Sequence, residues 1–131
     1  MLLDTSGFLC LQDKTEERNA AAIAHFQKAR ARLTTSYILA EYVALAHVRG
    51  MPREQVVAFS AEILIDESVE IVWVDESLHR QAVSLLEARP DKTYSLCDAV
   101  SFIVMREHNI TEALTTDRHF EQEGLVRLLP L

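Results

Sequence analysis

The sequence predicts an α/β fold: a single domain over residues 1–131, with a central parallel sheet of four or five strands flanked by helices on both faces. Three observations predict it. Apolar runs of strand length alternate along the chain with longer stretches of helical periodicity. The run Val69 to Val74 is apolar and β-branched enough for a buried parallel strand. Two carboxylates, Asp4 and Asp117, stand at strand ends, the edge where open α/β sheets bind ligands.

Taken in order, Met1 to Thr5 reads as a short buried strand ending at Asp4, with Thr5, Ser6 and Gly7 turning the chain. From Glu16 to Ala31, the positions Ala20, Ile23 and Phe26 make one face of a helix. Glu16 and Glu17 at its start and Lys28 and Arg30 at its end complement the dipole. Arg32 to Thr35 is a second, very short strand. Thr35 or Ser36 then caps a helix running to about Arg49, stopped by Gly50, with Pro52 in the first turn of the next. This helix is apolar nearly all round, which places it in a core or an interface. Glu41 is its one acidic residue, costly there unless paired with an Arg or bound to a cation.

Arg53 to Ile65 is amphipathic, with Val56, Val57, Ser60, Ile63 and Leu64 on the buried side. After the strand at Val69–Val74, Asp75 or Ser77 begins a helix carrying Leu78, Ala82, Leu85 and Leu86 at helical spacing, which Pro90 closes. Ser95 opens another, with Ala99, Phe102, Ile103 and Met105 on its apolar face; Asp98 lies in its first turn and Asn109 ends it. Ala113 to Thr116 is a short buried strand with Asp117 just beyond. Leu125 to Leu129 is an edge strand ended by Pro130. The turns around Asp13–Thr15 and Asp91–Lys92 are expected to be the most exposed segments.

A chain of 131 residues buries roughly two-thirds of its unfolded surface and folds without disulfides or a structural metal. Cys10 and Cys97 form no ligand pattern and are expected as reduced thiols. No basic leader or cleavage site precedes the first strand and no apolar run spans a bilayer, so a soluble cytoplasmic protein is expected, with no membrane partner. A net charge of −7 works against sequence-independent attraction to nucleic acid. Any such role must rest on local basic patches or bound cations.

The chemistry-bearing residues are Asp4, Glu41, Asp98 and Asp117, which a parallel sheet can gather at one crevice. Each has a plainer reading. Asp98 fits a capping box with Ser95, and Asp117 fits an Asx turn. Two bare carboxylates about 5 Å apart repel by roughly 3 kcal/mol at an effective dielectric near 20, so such a group calls for a proton or a cation. Oxygen donors alone suit Mg²⁺ or Mn²⁺. The five histidines, His119 among them, show no paired metal spacing and read as surface residues. Ser6 and Thr116 offer supporting hydroxyls, although turn and cap roles fit them too. Lys14, Lys92 and Arg118 are candidates for contacts with a phosphate backbone, or are solvated surface charges. Asp4 lacks the adjacent acidic pair of a response regulator and the second Asp of a haloacid-dehalogenase-like phosphatase. No Gly-rich phosphate loop follows the first strand.

The ordered set LLDTSGF, TTSYILAEYVAL, YSLCDAVSFIVM and ALTTDRHFEQEG resembles the PIN-domain ribonucleases, and among them the toxin subunits of VapBC toxin–antitoxin pairs. The resemblance covers nearly the whole chain. It implies a metal-dependent endoribonuclease, hydrolysing RNA phosphodiesters with Mg²⁺- or Mn²⁺-activated water, as the toxin of a type II toxin–antitoxin system. Asp4, Glu41, Asp98 and Asp117 match the family's acidic positions, and Ser6 or Thr116 its accompanying hydroxyls. It further implies a homodimer inhibited by a small cognate antitoxin. The alternative is a catalytically silent PIN-like module that binds a metal or a protein partner.

Overall fold

The computed structural model describes residues 1–131. Five parallel strands form one sheet: β1 (Leu2–Leu3), β2 (Arg32–Thr35), β3 (Val69–Val72), β4 (Glu112–Leu114) and β5 (Val126–Arg127). Their spatial order is β3-β2-β1-β4-β5. The chain therefore builds outward from β1 in one direction and then returns to build in the other. Register pairs Leu2 with both Leu33 and Ala113, and Leu3 with Leu114. The reversal at β1 opens a crevice beyond the C-terminal ends of β1, β2 and β4. Right-handed connections send the helices before β3 to one face and those after it to the other.

Seven helices connect these strands: α1 (Thr5–Gln12), α2 (Asn19–Lys28), α3 (Ser36–Val48), α4 (Arg53–Ile65), α5 (Glu76–Ala88), α6 (Leu96–Glu107) and α7 (His119–Gln122). The first departs from expectation. Thr5, Ser6 and Gly7 do not turn the chain but begin α1 directly after Asp4, whose extended backbone serves as the N-cap. Gly7 is there for space: a Cβ on it would lie 2.1 Å from the Leu114 carbonyl oxygen, so only glycine lets α1 press onto the end of β4. The α2 helix is shorter than its apolar pattern suggests, and Ala22 is its buried residue, while Ile23 is exposed.

Caps behave as the sequence indicates. Thr35 Oγ1 accepts from the Ile38 amide, Asp75 Oδ1 from the Leu78 amide, and Ser95 and Asp98 form a reciprocal capping box. Asn109 ends α6 with a φ of 54°. Two expectations of burial fail. The strand β3 lies at the sheet edge, and Trp73 just beyond it is 64% exposed, because no further strand covers that side. On α4, Val56 and Ile63 are buried but Val57 and Leu64 face solvent, as does Val48 at the end of α3.

Two aromatic clusters stiffen the interior. Phe8, Tyr42 and Phe59 meet edge-to-face with centroids 5.3–5.9 Å apart. Tyr94, Phe102 and Phe120 form a second stack at 5.0 Å per contact, tying α6 to α7. No helix is long and apolar enough to cross a membrane.

Candidate active site

Asp4 follows β1 at the switch point and is 5% exposed. Its Oδ2 accepts from Thr115 Oγ1 at 2.7 Å and from Ser6 Oγ at 3.2 Å. Those hydroxyls are themselves held from the other side, Ser6 Oγ accepting from the Thr116 amide and Thr115 Oγ1 from the Asp117 amide, each at 3.0 Å. Burial pushes the Asp4 carboxyl up to about 7, and the charges of Asp98 and Glu41 add to the rise against the Thr115 hydrogen bond. The supporting hydroxyls are thus Ser6 and Thr115. Thr116 contributes its backbone N–H, because alternation along the strand end turns Thr115 inward and Thr116 toward the cleft it lines with Asp117 and Arg118.

Asp98 is both cap and pocket residue. Its Oδ2 accepts from the Ser95 amide at 2.9 Å. Burial raises its carboxyl and the nearby Asp117 charge raises it further, opposed by the Ser95 amide and by His119. Asp117 likewise makes the turn its sequence suggests, Oδ1 accepting from the His119 amide at 2.9 Å, which leaves Oδ2 toward the pocket. Glu41 reaches the same neighbourhood from the second turn of α3. Burial first, then the charges of Glu41, Asp4 and Asp98, hold the Cys97 thiol well above its ordinary value, so the side chain beside Asp98 stays a neutral thiol.

One member was missed by sequence reading. His119 is not a surface residue: its Nδ1 lies 3.3 Å from Asp117 Oδ2 and 3.4 Å from Asp98 Oδ2. Asp98, Asp117 and His119 present ligand atoms all within 4.8 Å of one another. Asp4 and Glu41 border this group without belonging to it. The available signal was the spacing Asp117-Arg118-His119, which returns the imidazole to the strand end once a short helix starts there. That helix, α7, was not foreseen either.

The basic candidates divide. Arg118 is exposed and lines a cleft with Thr116, Asp117, Arg127 and Leu131; Arg127, which also donates to the Thr116 carbonyl at 3.1 Å, was overlooked. Lys92 pairs with Asp91 at 3.4 Å, three residues before the Ser95 cap. Lys14 does not reach the acids. It follows α1 and lines a separate cleft with Arg49 and Gly50 at the far end of α3, about 12 Å of helix rise beyond Glu41.

The donors fit a divalent cation. Two carboxyls that burial and neighbouring negative charge push upward, Asp4 and Asp98, with an imidazole nitrogen that lacks any hydrogen-bond partner between Asp98 and Asp117, are groups a cation would satisfy.

Comparison with known proteins agrees. The PIN domain family model matches residues 1–124. The chain belongs to the PIN-domain family. Among curated PIN-domain relatives, the 23S rRNA-specific endonuclease VapC20 of Mycobacterium tuberculosis, from strains CDC 1551 / Oshkosh and H37Rv, is 30% identical over 131 residues, covering 99% of this chain and 98% of the relative. The crystal structure of M. tuberculosis VapC20, described as a Sarcin-Ricin loop cleaving toxin, superposes with a TM-score of 0.88 at 29% identity and covers 98% of each chain.

Proposed function

We propose that this PIN-domain protein is a divalent-metal-dependent endoribonuclease, the toxin of a type II toxin–antitoxin pair, with ribosomal RNA as its substrate class. The observation that carries this reading is end-to-end likeness to a ribosomal-RNA endonuclease, over 99% of this chain and 98% of the relative. The likeness favours an active nuclease over a silent binding module.

In this reading Asp4, Glu41, Asp98 and Asp117 would together hold Mg²⁺ or Mn²⁺, with Asp98 and Asp117 supplying the donors that lie nearest one another. When bound, the ion supplies a more acidic water and neutralises charge developing on the phosphoryl group. Ser6 and Thr115 keep the Asp4 carboxylate in one orientation by donating to the same oxygen. Arg118 and Arg127 border the cleft beside Asp117, and Lys92 lies near the Ser95 turn; these cations meet the RNA backbone on a protein that is otherwise acidic. The protein works in the cytoplasm as a homodimer, restrained by a small antitoxin. Exposed Val48, Val57, Leu64 and Ile65 on the α3–α4 hairpin supply apolar surface suited to such protein contacts.

The test is incubation of ribosomes and of total cellular RNA with the protein, with and without EDTA, beside Asp98→Asn, with cleavage sites mapped by primer extension. Discrete cuts in 23S rRNA that need a divalent ion and fall about a hundredfold or more in the variant are expected, a loss of several kcal/mol of transition-state stabilisation. Equal cutting by Asp98→Asn would remove the proposed site.

A further inference from the structure

We infer that His119 Nδ1 is a direct ligand of the ion that Asp98 and Asp117 hold, which makes this a mixed nitrogen–oxygen site ranking Mn²⁺ and Co²⁺ above Mg²⁺. The inference rests on reading the acidic pocket as a metal site and goes beyond it by naming a nitrogen donor. Three observations carry it. The Nδ1 atom has no solvent access and no hydrogen-bond partner, although Asp117 Oδ2 and Asp98 Oδ2 lie only 3.3 and 3.4 Å away. Neither oxygen therefore has the alignment of a hydrogen bond. Those separations match the spacing of neighbouring donors around one ion, about 3.0 Å for octahedral and about 3.4 Å for tetrahedral geometry with bonds near 2.1 Å.

The other ring nitrogen is occupied. His119 Nε2 lies 3.1 Å from Thr93 Oγ1, and the ring packs edge-on against Tyr94 with centroids 5.3 Å apart. A ligating histidine characteristically donates its second N–H to an oxygen acceptor, which fixes the tautomer and the ring plane. In the tautomer whose Nε2–H donates to Thr93 Oγ1, the Nδ1 lone pair is left for the ion. Imidazole nitrogen raises affinity for first-row transition ions along the Irving–Williams order and does little for Mg²⁺.

Mn²⁺ added to the full-length metal-free protein tests this by electron spin-echo spectroscopy and calorimetry, with His119→Gln and Thr93→Val alongside. Expected are ¹⁴N modulation in the wild type that is lost in His119→Gln, and Mn²⁺ affinity at least about tenfold weaker in both variants, Mg²⁺ affinity changing by less than about twofold. Thr93→Val retains the imidazole and so separates control of ring orientation from loss of the ligand. Tight Mn²⁺ binding without nitrogen coupling, or coupling that persists in His119→Gln, overturns the inference and leaves the carboxylate site standing. Failure of the wild type to bind Mn²⁺ at all would overturn both readings.

Discussion

Asp4 carries an electrostatic penalty that the metal-free fold must absorb. Its carboxyl is held at about 7 against an ordinary 3.8, so between those values the folded chain binds more protons than the unfolded one, and stability falls as pH rises. The full penalty, present above pH 7, is at most about 4 kcal/mol. In EDTA at pH 8, Asp4→Asn is expected to be more stable than wild type in urea denaturation, with the gap closing toward pH 5. A variant weaker by the same margin at both pH values would mean that Asp4 is not held near neutrality. Saturating Mn²⁺ at pH 8 should narrow the gap by stabilising wild type, by about 2.7 kcal/mol at a hundred times Kd and about 4 kcal/mol at a thousand, and should do little for Asp98→Asn. For Asp98 and Asp117 the cap and the turn are made while both side chains still border the acidic pocket. Each caps or turns the backbone with some lone pairs and offers the pocket others.

Among the elements, α1 and α7 position the site and were the least legible. A strand running directly into a helix through Thr-Ser-Gly looks like a turn, since glycine and serine are the usual turn residues. Here Gly7 answers to contact with the Leu114 carbonyl, a neighbour more than a hundred residues away in the chain. Gly7→Ala should therefore lift α1 off β4, costing about 1–3 kcal/mol in denaturant midpoint. It should also lower cleavage activity, because Ser6 and Asp4 move with that turn. Unchanged stability would mean that α1 has slack at this point. By contrast α6 was plain from its residues, since Ser95, Asp98 and Asn109 write both of its ends through local hydrogen bonds and a left-handed residue.

For the whole molecule, Glu123 fastens three regions together behind the site. Its carboxylate, 4% exposed, takes Arg89 Nε and Tyr94 Oη each at 3.0 Å and pairs with Arg106, joining α5, the loop before α6, and α6 to the end of α7. Burial would raise its carboxyl, but the three donors outweigh that and hold it below its usual range. A depressed carboxylate contributes stability above its unfolded pKa and loses it as pH falls through the folded one. Glu123→Gln should then cost about 3 kcal/mol near neutrality, and the deficit should shrink in acid. A pH-independent deficit would point to packing alone. The alternation of short apolar runs with helical periods, the caps and the four acids were readable in the residues, because periodicity and hydrogen-bonding chemistry are local properties of a chain. Strand order was not, and strand order decides which side chains meet. Reversal at β1 brings Thr115 onto Asp4 and Ser6, sets His119 against Asp98, and leaves Lys14 at the far end of α3. Those pairings lie up to 111 residues apart, and only folding brings them within a few ångströms.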